Sequence, residues 1–414
     1  MTADRSFDSS LNFQSERAWE LYAVVADELD TLRKRKVKQD SIGKTGALRS
    51  MIVANLIVHH LKGGPSSGVR VPRGKSTLAQ KPSRYEPYSF PRSFPKLLDD
   101  LRKAKYLHQT TGVYSGARGL SKQTTIRAGS KLIRLIADRG LQLSDMGAES
   151  GNGELIVLGR TKVHYGDQGG RQDYTDTKVT NGYRADMMLL NDWLSRSHIT
   201  FDATVHQDFV DPTCRSLRRH FSNDSFEQGG RLFGGFWQVL PKDVRAKGIR
   251  IEGESTASAD YTSINAALAY WVAKAPPPEG DAYTLPKFEH YRSLVKTIFN
   301  AMLFSRVTQF PKGVRAEFSL PKALRLTDIK SAILAKHSGL SGFLSGSGIG
   351  HKLQFHESEI LIEVLKRCRS GGIVALPIHD SVIVKASNFE RAKAIMKAVY
   401  KSKTGRGIIV RLDS

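Results

Sequence analysis

The sequence predicts an α+β fold, and three observations carry that expectation. Amphipathic helical periodicity recurs along the chain, beginning at residues 14–36. Two stretches, 106–128 and 371–386, instead set β-prone runs on either side of a short polar loop, as antiparallel hairpins do. Of the 414 residues, 40% are hydrophobic and 8% aromatic, enough to bury proper cores and to suggest about two to three domains at ~150 residues each.

Taken in order, residues 14–36 place Trp19, Leu21, Tyr22, Val25, Ala26 and Leu29 at three- and four-residue spacing and end in a basic cluster, an amphipathic helix that packs on a neighbour. A second apolar helix, 45–61, stops at Gly63-Gly64-Pro65, and a Pro/Ser/basic loop runs from Pro65 to Pro91. A helix at 95–107 then leads into a hairpin with a basic loop carrying Arg118, Lys122 and Arg127. Helix, helix and hairpin is the order of a winged helix-turn-helix, whose wing and helix can touch one duplex through phosphates. Small helical domains with a hairpin are also common without any DNA contact, so residues 1–145 read as a winged-helix-like basic region with both outcomes open. Residues 146–228 read as a connecting or thumb-like region with a β-prone piece at 154–159 and a helix at 181–197, and Gly-rich turns follow at Gly229-Gly230 and Gly234-Gly235.

The 63 Lys and Arg against 40 Asp and Glu leave a formal charge of +23, which points to an anionic partner. Nucleic acid is favoured, because each phosphate neutralised releases counterions, whereas an anionic membrane would call for a basic amphipathic anchor. A solvated basic surface without a specific partner is the plainer alternative. The longest apolar run, Met51 to Val58, is interrupted by Asn55 and falls far short of the ~18 residues a bilayer-spanning helix needs, so no membrane partner is expected. The two cysteines, Cys214 and Cys368, exclude a disulfide scaffold and a CxxC zinc site. With no basic leader or apolar h-region at the N-terminus, the expected location is cytoplasmic.

Three later segments carry chemistry. In residues 249–271 a strand of small residues, Ser255 to Ala259, precedes a helix marked by Ile264, Ala267, Leu268 and Trp271, so Asp260 stands at a strand-to-helix junction. A carboxylate held there suits Mg²⁺, but an Asp there equally caps a helix. In residues 291–305, Arg292 and Lys296 lie one helical turn apart, with Asn300 and Phe304 on the following turns. The two cations could meet a polyphosphate or simply form a solvated face. In residues 371–386 the triplet His379-Asp380-Ser381 interrupts a strongly apolar β pattern. If it forms a hairpin turn, an ionised Asp380 between two such strands needs a cation or a hydrogen-bond partner.

In this order and at this spacing, the three segments resemble motifs A, B and C of family A DNA polymerases and the related single-subunit RNA polymerases of phages and mitochondria. Asp260 to Asn265 (DYTSIN) resembles motif A, Arg292 through Lys296 to Phe304 resembles the fingers helix of motif B, and Pro377 to Val384 (PIHDSVIV) resembles motif C. The segment GDAYTL at 280–285 is similar to the one that precedes the fingers helix in family A, and the helix at 353–367 is similar to the one before motif C in the RNA polymerases. The likeness spans about residues 229–405.

The resemblance implies a right-hand polymerase palm with an antiparallel sheet at 229–278 and 351–414, and helical fingers at 279–350. It implies template-directed nucleotidyl transfer using two Mg²⁺ ions, with Mn²⁺ a substitute, held by Asp260 and Asp380 as catalytic metal ligands. Nucleoside triphosphates and a DNA template and primer, or RNA, become the expected partners. Lys296 and Arg292 would offset charge on the phosphates, Lys296 also serving as a proton donor, while Tyr261, Asn265 and Phe304 line the nucleotide pocket. His379 would hold the primer terminus, and Arg231 and His356 would contact primer or template.

Departures from the family pattern matter too. Where family A DNA polymerases carry Glu five places after the motif A Asp, this chain has Asn265. The residue after the motif C His-Asp is Ser381, closer to the RNA polymerase version. No acidic pair typical of a proofreading exonuclease is present in the basic N-terminal region. The leading expectation is a family A-like DNA polymerase without proofreading. The alternatives are a single-subunit RNA polymerase or primer-making enzyme, and a non-catalytic DNA-binding regulator or replication-accessory protein.

Overall fold

Two units emerge from the computed structural model: residues 1–154 with 206–211, and residues 155–205 with 212–414. The structure describes the chain except residues 1–3, 10, 33–38, 63–66, 75–77, 79–82, 86–89, 116–119, 149–152, 163–168, 208–209, 211, 213, 305–309, 311–312, 322 and 413–414.

The first unit contains β1 (Arg5–Ser6), β2 (Leu11–Phe13), α1 (Glu16–Thr31), α2 (Gln39–Leu61), β3 (Val69–Val71), α3 (Phe94–Lys103), β4 (Leu107–Thr110), β5 (Val113–Ser115), β6 (Leu120–Lys122), β7 (Thr124–Ala128), α4 (Ser130–Asp138) and β8 (Met146–Ala148). Ser15 caps α1, its hydroxyl accepting the Ala18 amide, and Ala18, Leu21, Val25 and Leu29 form the buried stripe of that helix. Trp19, expected on the packed face, is 44% exposed, although its ring still meets Phe13 and Tyr22. Strands β1, β3, β7 and β4 form one sheet, and β5 pairs with β6 as the expected hairpin extension. Arg118 and nearly half of the 65–91 loop lie outside the described residues, and Arg127 stands in β7 beside His108.

The second unit contains β9 (Ile156–Leu158), α5 (Lys178–Arg196), β10 (Ile199–Phe201), β11 (Arg218–Ser222), β12 (Ser225–Phe233), α6 (Lys242–Gly248), β13 (Ile249–Ile251), β14 (Glu254–Tyr261), α7 (Ile264–Val272), α8 (Arg292–Phe304), α9 (Val314–Glu317), α10 (Leu326–Lys336), α11 (Ser341–Leu344), α12 (Gly350–Ser370), β15 (Ala375–Ile378), β16 (Ser381–Lys385), α13 (Phe389–Thr404) and β17 (Val410–Leu412). Its main sheet is antiparallel, in the order β10-β13-β14-β16-β15, with β17 also paired to β14. Apolar alternation drives the centre: Leu376, Val382, Ile383 and Val384 are buried on β15 and β16. The protein is thus a mixed α and β structure with antiparallel sheets. A second sheet, β12-β11-β9, joins β11 and β12 as a hairpin, so the expected boundary at 228/229 falls inside β12. Among the described residues no helix is long and apolar enough to cross a membrane.

Candidate functional site

The three chemistry-bearing segments meet around the β15–β16 turn. Strand β14 runs antiparallel to β16 with Asp260 opposite Ser381, so Asp260 is set across from the residue that follows Asp380. On its other side Asp260 stands opposite Arg411 of β17. Asp260 does not cap the next helix: it lies within β14, and the cap position of α7 is Ser263. Asp380 and His379 form a two-residue turn, closed by the Ser381 hydroxyl donating to the Ile378 carbonyl at 2.9 Å. His379 adopts φ 51°, the left-handed conformation that tight hairpins require and that costs a non-glycine residue about 1–2 kcal/mol.

Asp380 carries the sharpest electrostatics. Burial raises its carboxyl above the ordinary carboxylate range, while Arg231, Lys296 and His379 pull in the opposite direction. Lys296 reaches this group from α8, so the expected motif B cation and the motif C carboxylate act on each other. Lys296 itself is exposed. Burial also lowers the His379 imidazole, with Arg231 adding to the shift and Asp380 opposing it.

Arg231 arrives from β12, whose backbone is shaped by Gly229 and Gly230 at φ 77° and 83°. A Cβ at Gly230 would stand 2.5 Å from the Ser358 hydroxyl and 3.1 Å from Arg219 Nη2, so a larger residue must shift those side chains as well as adopt a left-handed backbone. Arg231 donates from Nε and Nη2 to the two carboxylate oxygens of Glu357 at 2.8 and 2.9 Å. Glu357 is only 1% exposed; burial pushes its carboxyl up to about 7, and the Arg231 guanidinium opposes that rise. The turn is tied to the same segment by Trp237 Nε1 and Gln238 Nε2, which donate to the Pro377 carbonyl at 2.9 and 3.1 Å.

Arg292 begins α8 and makes a two-point ion pair with Asp281, Nε to Oδ2 at 3.0 Å and Nη2 to Oδ1 at 2.7 Å. Its guanidinium also lies 5.5 Å from the centre of the Tyr283 ring. Tyr283 is buried and within electrostatic reach of Asp281, Arg292 and Asp380, so it spans the two halves of the site. Asn265, on α7, donates from Nδ2 to Asn300 Oδ1 of α8 at 3.1 Å, while its own buried Oδ1 has no hydrogen-bond partner.

Other expected residues sit differently. Tyr261 follows Asp260 on an extended strand and therefore points to the opposite face, where it is buried and donates to the Met396 carbonyl at 2.7 Å. That commitment to the core under α13 departs from the expected place in a nucleotide pocket. Phe304 packs over Gly350, where a Cβ would meet its ring at 2.4 Å, and stands edge-on to His351 at 5.5 Å. The ring of His356 is edge-on to Trp271 at 5.0 Å, and burial lowers its imidazole pKa. It is thus drawn toward α7. Sequence reasoning did not single out Glu357, Asp281 or Tyr283. Only GDAYTL gave a signal, through the resemblance.

No family model matches the chain, and no curated protein sequence matches it either. The donor set itself can be weighed against Mg²⁺. Among the described residues no cluster of three or more His, Cys, Asp or Glu side chains forms a metal site. Mg²⁺ is commonly held by one or two carboxylates with substrate phosphates and water completing the shell, and Asp260 beside the Asp380 turn offers that all-oxygen set. The residues present fit the ion.

Proposed function

We propose that the chain is a template-directed nucleotidyltransferase, a family A-like polymerase without proofreading. What supports this reading most is the antiparallel register that sets Asp260 across from Ser381, next to an Asp380 on which Lys296 of α8 acts. Two carboxylates from distant segments and a helix bearing two cations, at one end of an antiparallel sheet, suit transfer to a triphosphate. On this reading the sheet is the palm and α8 belongs to the fingers.

Each residue then has a task. Asp260 and Asp380 hold Mg²⁺, or Mn²⁺ in its place, which when bound supplies Lewis-acid neutralisation of the attacking and leaving oxygens. Lys296 and Arg292 bind the phosphates, and Lys296 delivers a proton to the departing pyrophosphate. Arg231, held by Glu357, and His379 face the primer end, and Phe304 with Asn265 borders the incoming nucleotide. The net charge of +23 favours binding of DNA or RNA through phosphates.

A second reading, synthesis of RNA or of a primer, has its own observation. The unpartnered Oδ1 of Asn265 is an acceptor that a ribose 2′-hydroxyl could satisfy, with no longer Glu side chain at that position to block it. A primed template offered with Mg²⁺ and deoxy- or ribonucleotides separately, then without primer, tests both. Asp260→Asn and Asp380→Asn each abolish extension while retaining DNA affinity. Binding with steep salt dependence but no extension by the folded wild type rejects catalysis and leaves a DNA-binding regulator.

A further inference from the structure

A guanidinium carries five N–H donors, and Arg292 spends two of them on Asp281. The side chain remains 44% exposed, and its Nη1 donors take no part in that pair. An isolated surface ion pair contributes little, because it must hold two long side chains in one geometry in solvent. This one is built into the fold. Asp281 Oδ2 also accepts the Tyr283 amide at 3.1 Å and the Thr284 hydroxyl at 2.9 Å. Burial works against the charge on Asp281, yet the Arg292 and Thr284 hydrogen bonds outweigh it and hold the carboxyl below its usual range.

The backbone of the same segment is pinned from α10. Lys336 Nζ donates to the carbonyls of Asp281 and Thr284, both at 2.7 Å. His337, fully buried, contacts the Ala282 carbonyl through Nε2 and the Tyr270 hydroxyl through Nδ1, each at 2.9 Å. The carbonyl can only accept, so Nε2 carries the proton and Nδ1 accepts from Tyr270. Tyr270 belongs to α7, the helix that follows Asp260. A continuous set of hydrogen bonds therefore fixes the plane of Arg292 relative to α7, one helical turn from Lys296.

We propose that Asp281 is a positioning residue for triphosphate recognition, holding the Arg292 guanidinium so that its unspent Nη1 edge and the Lys296 ammonium receive one polyphosphate. This rests on the nucleotidyltransferase reading above. The opposite role, a carboxylate that masks Arg292 and must be displaced by phosphate, predicts the reverse effect of its removal.

The test is equilibrium binding of a fluorescent nucleoside triphosphate with Mg²⁺ to the full chain, with inorganic tripolyphosphate as competitor, alongside steady-state extension. Asp281→Asn weakens binding and raises KM about tenfold while kcat stays within about twofold, and Asp281→Asn with Arg292→Ala is no weaker than Arg292→Ala alone. Thr284→Val, which removes one bond to Oδ2, gives a smaller loss in the same direction and serves if Asp281→Asn unfolds. Unchanged or tighter binding by the Asp281 variant, or losses that multiply in the double variant, overturns the proposal. Triphosphate binding without extension overturns only the polymerase reading, and absence of triphosphate binding by the wild type overturns both.

Discussion

Arg231→Met isolates the buried pair beneath the Asp380 turn. The Glu357 carboxyl stands at about 7 in the folded protein against an ordinary 4.5, with burial as the main cause and Arg231 opposing it. A carboxyl whose folded value is raised binds more protons folded than unfolded between those two values. Its contribution to stability is therefore complete below 4.5, declines as pH rises to about 7, and is flat above. Removing Arg231 withdraws both donors, at 2.8 and 2.9 Å, and moves the folded value higher. The decline then continues above neutrality at about 1.4 kcal/mol per pH unit, a further loss of about 2 kcal/mol between roughly pH 7 and 8.5. Urea unfolding midpoints at about pH 6, 7 and 8.5 measure it, with Glu357→Gln added to each background to separate Glu357 from Asp380, which also feels Arg231. The reasoning fails if the variant and wild type run parallel above neutrality, or if the extra slope survives Glu357→Gln.

Three further outcomes follow from the same geometry. Lys296→Ala lowers single-turnover extension by about 10²–10³, the scale of losing one charge-stabilising donor, with DNA affinity in a filter-binding assay unchanged. Asn265→Glu extends a carboxylate one methylene beyond the present Oδ1 and improves discrimination against ribonucleotides in competing-substrate extension; unchanged discrimination removes Asn265 from the sugar pocket. His220 is lowered to about 4 by burial, with Arg171 and Arg218 adding to it, so the folded protein loses about 3 kcal/mol as pH falls from 6.5 toward 4. His220→Phe, which keeps the edge contact with Phe233, removes that part of the pH dependence in the same unfolding assay.

The parts of this fold legible in the sequence are those governed by short periods. The β15–β16 hairpin was visible because Val374, Leu376, Ile378, Val382 and Val384 alternate, and α7 and α8 because their apolar residues recur at helical spacing. Tyr261 was misread for a reason the same period supplies: neighbours on a strand face opposite ways, so an outward Asp260 implies an inward Tyr261. The β9–β11 pairing was not legible, because it is parallel and joins residues about 60 positions apart with no turn signal between them. Glu357 was hidden for a different reason. A Glu on a helix reads as a solvated face unless its partner is known, and Arg231 lies 126 positions away.

Several features that cost this fold stability stand around the Asp380 turn, and that bears on why they persist. Left-handed residues also occur at Asn223 and Asp224, where they mean only a hairpin turn. At His379 the same conformation precedes an Asp380 whose carboxyl burial raises, and the neighbouring Glu357 is almost fully buried at about 7. Asn265 leaves a buried acceptor without a partner on α7. Replacing buried ion pairs by apolar residues of similar size is often neutral or stabilising, so selection for stability alone gives no reason to hold Arg231 and Glu357 together under a hairpin made of apolar strands. Local rules broken on several segments that converge on one point are what a preorganised site requires, since charges must be fixed before the substrate arrives. The groups acting on Asp380 come from β12, α8 and the turn itself, and a single structural salt bridge would need only one of them.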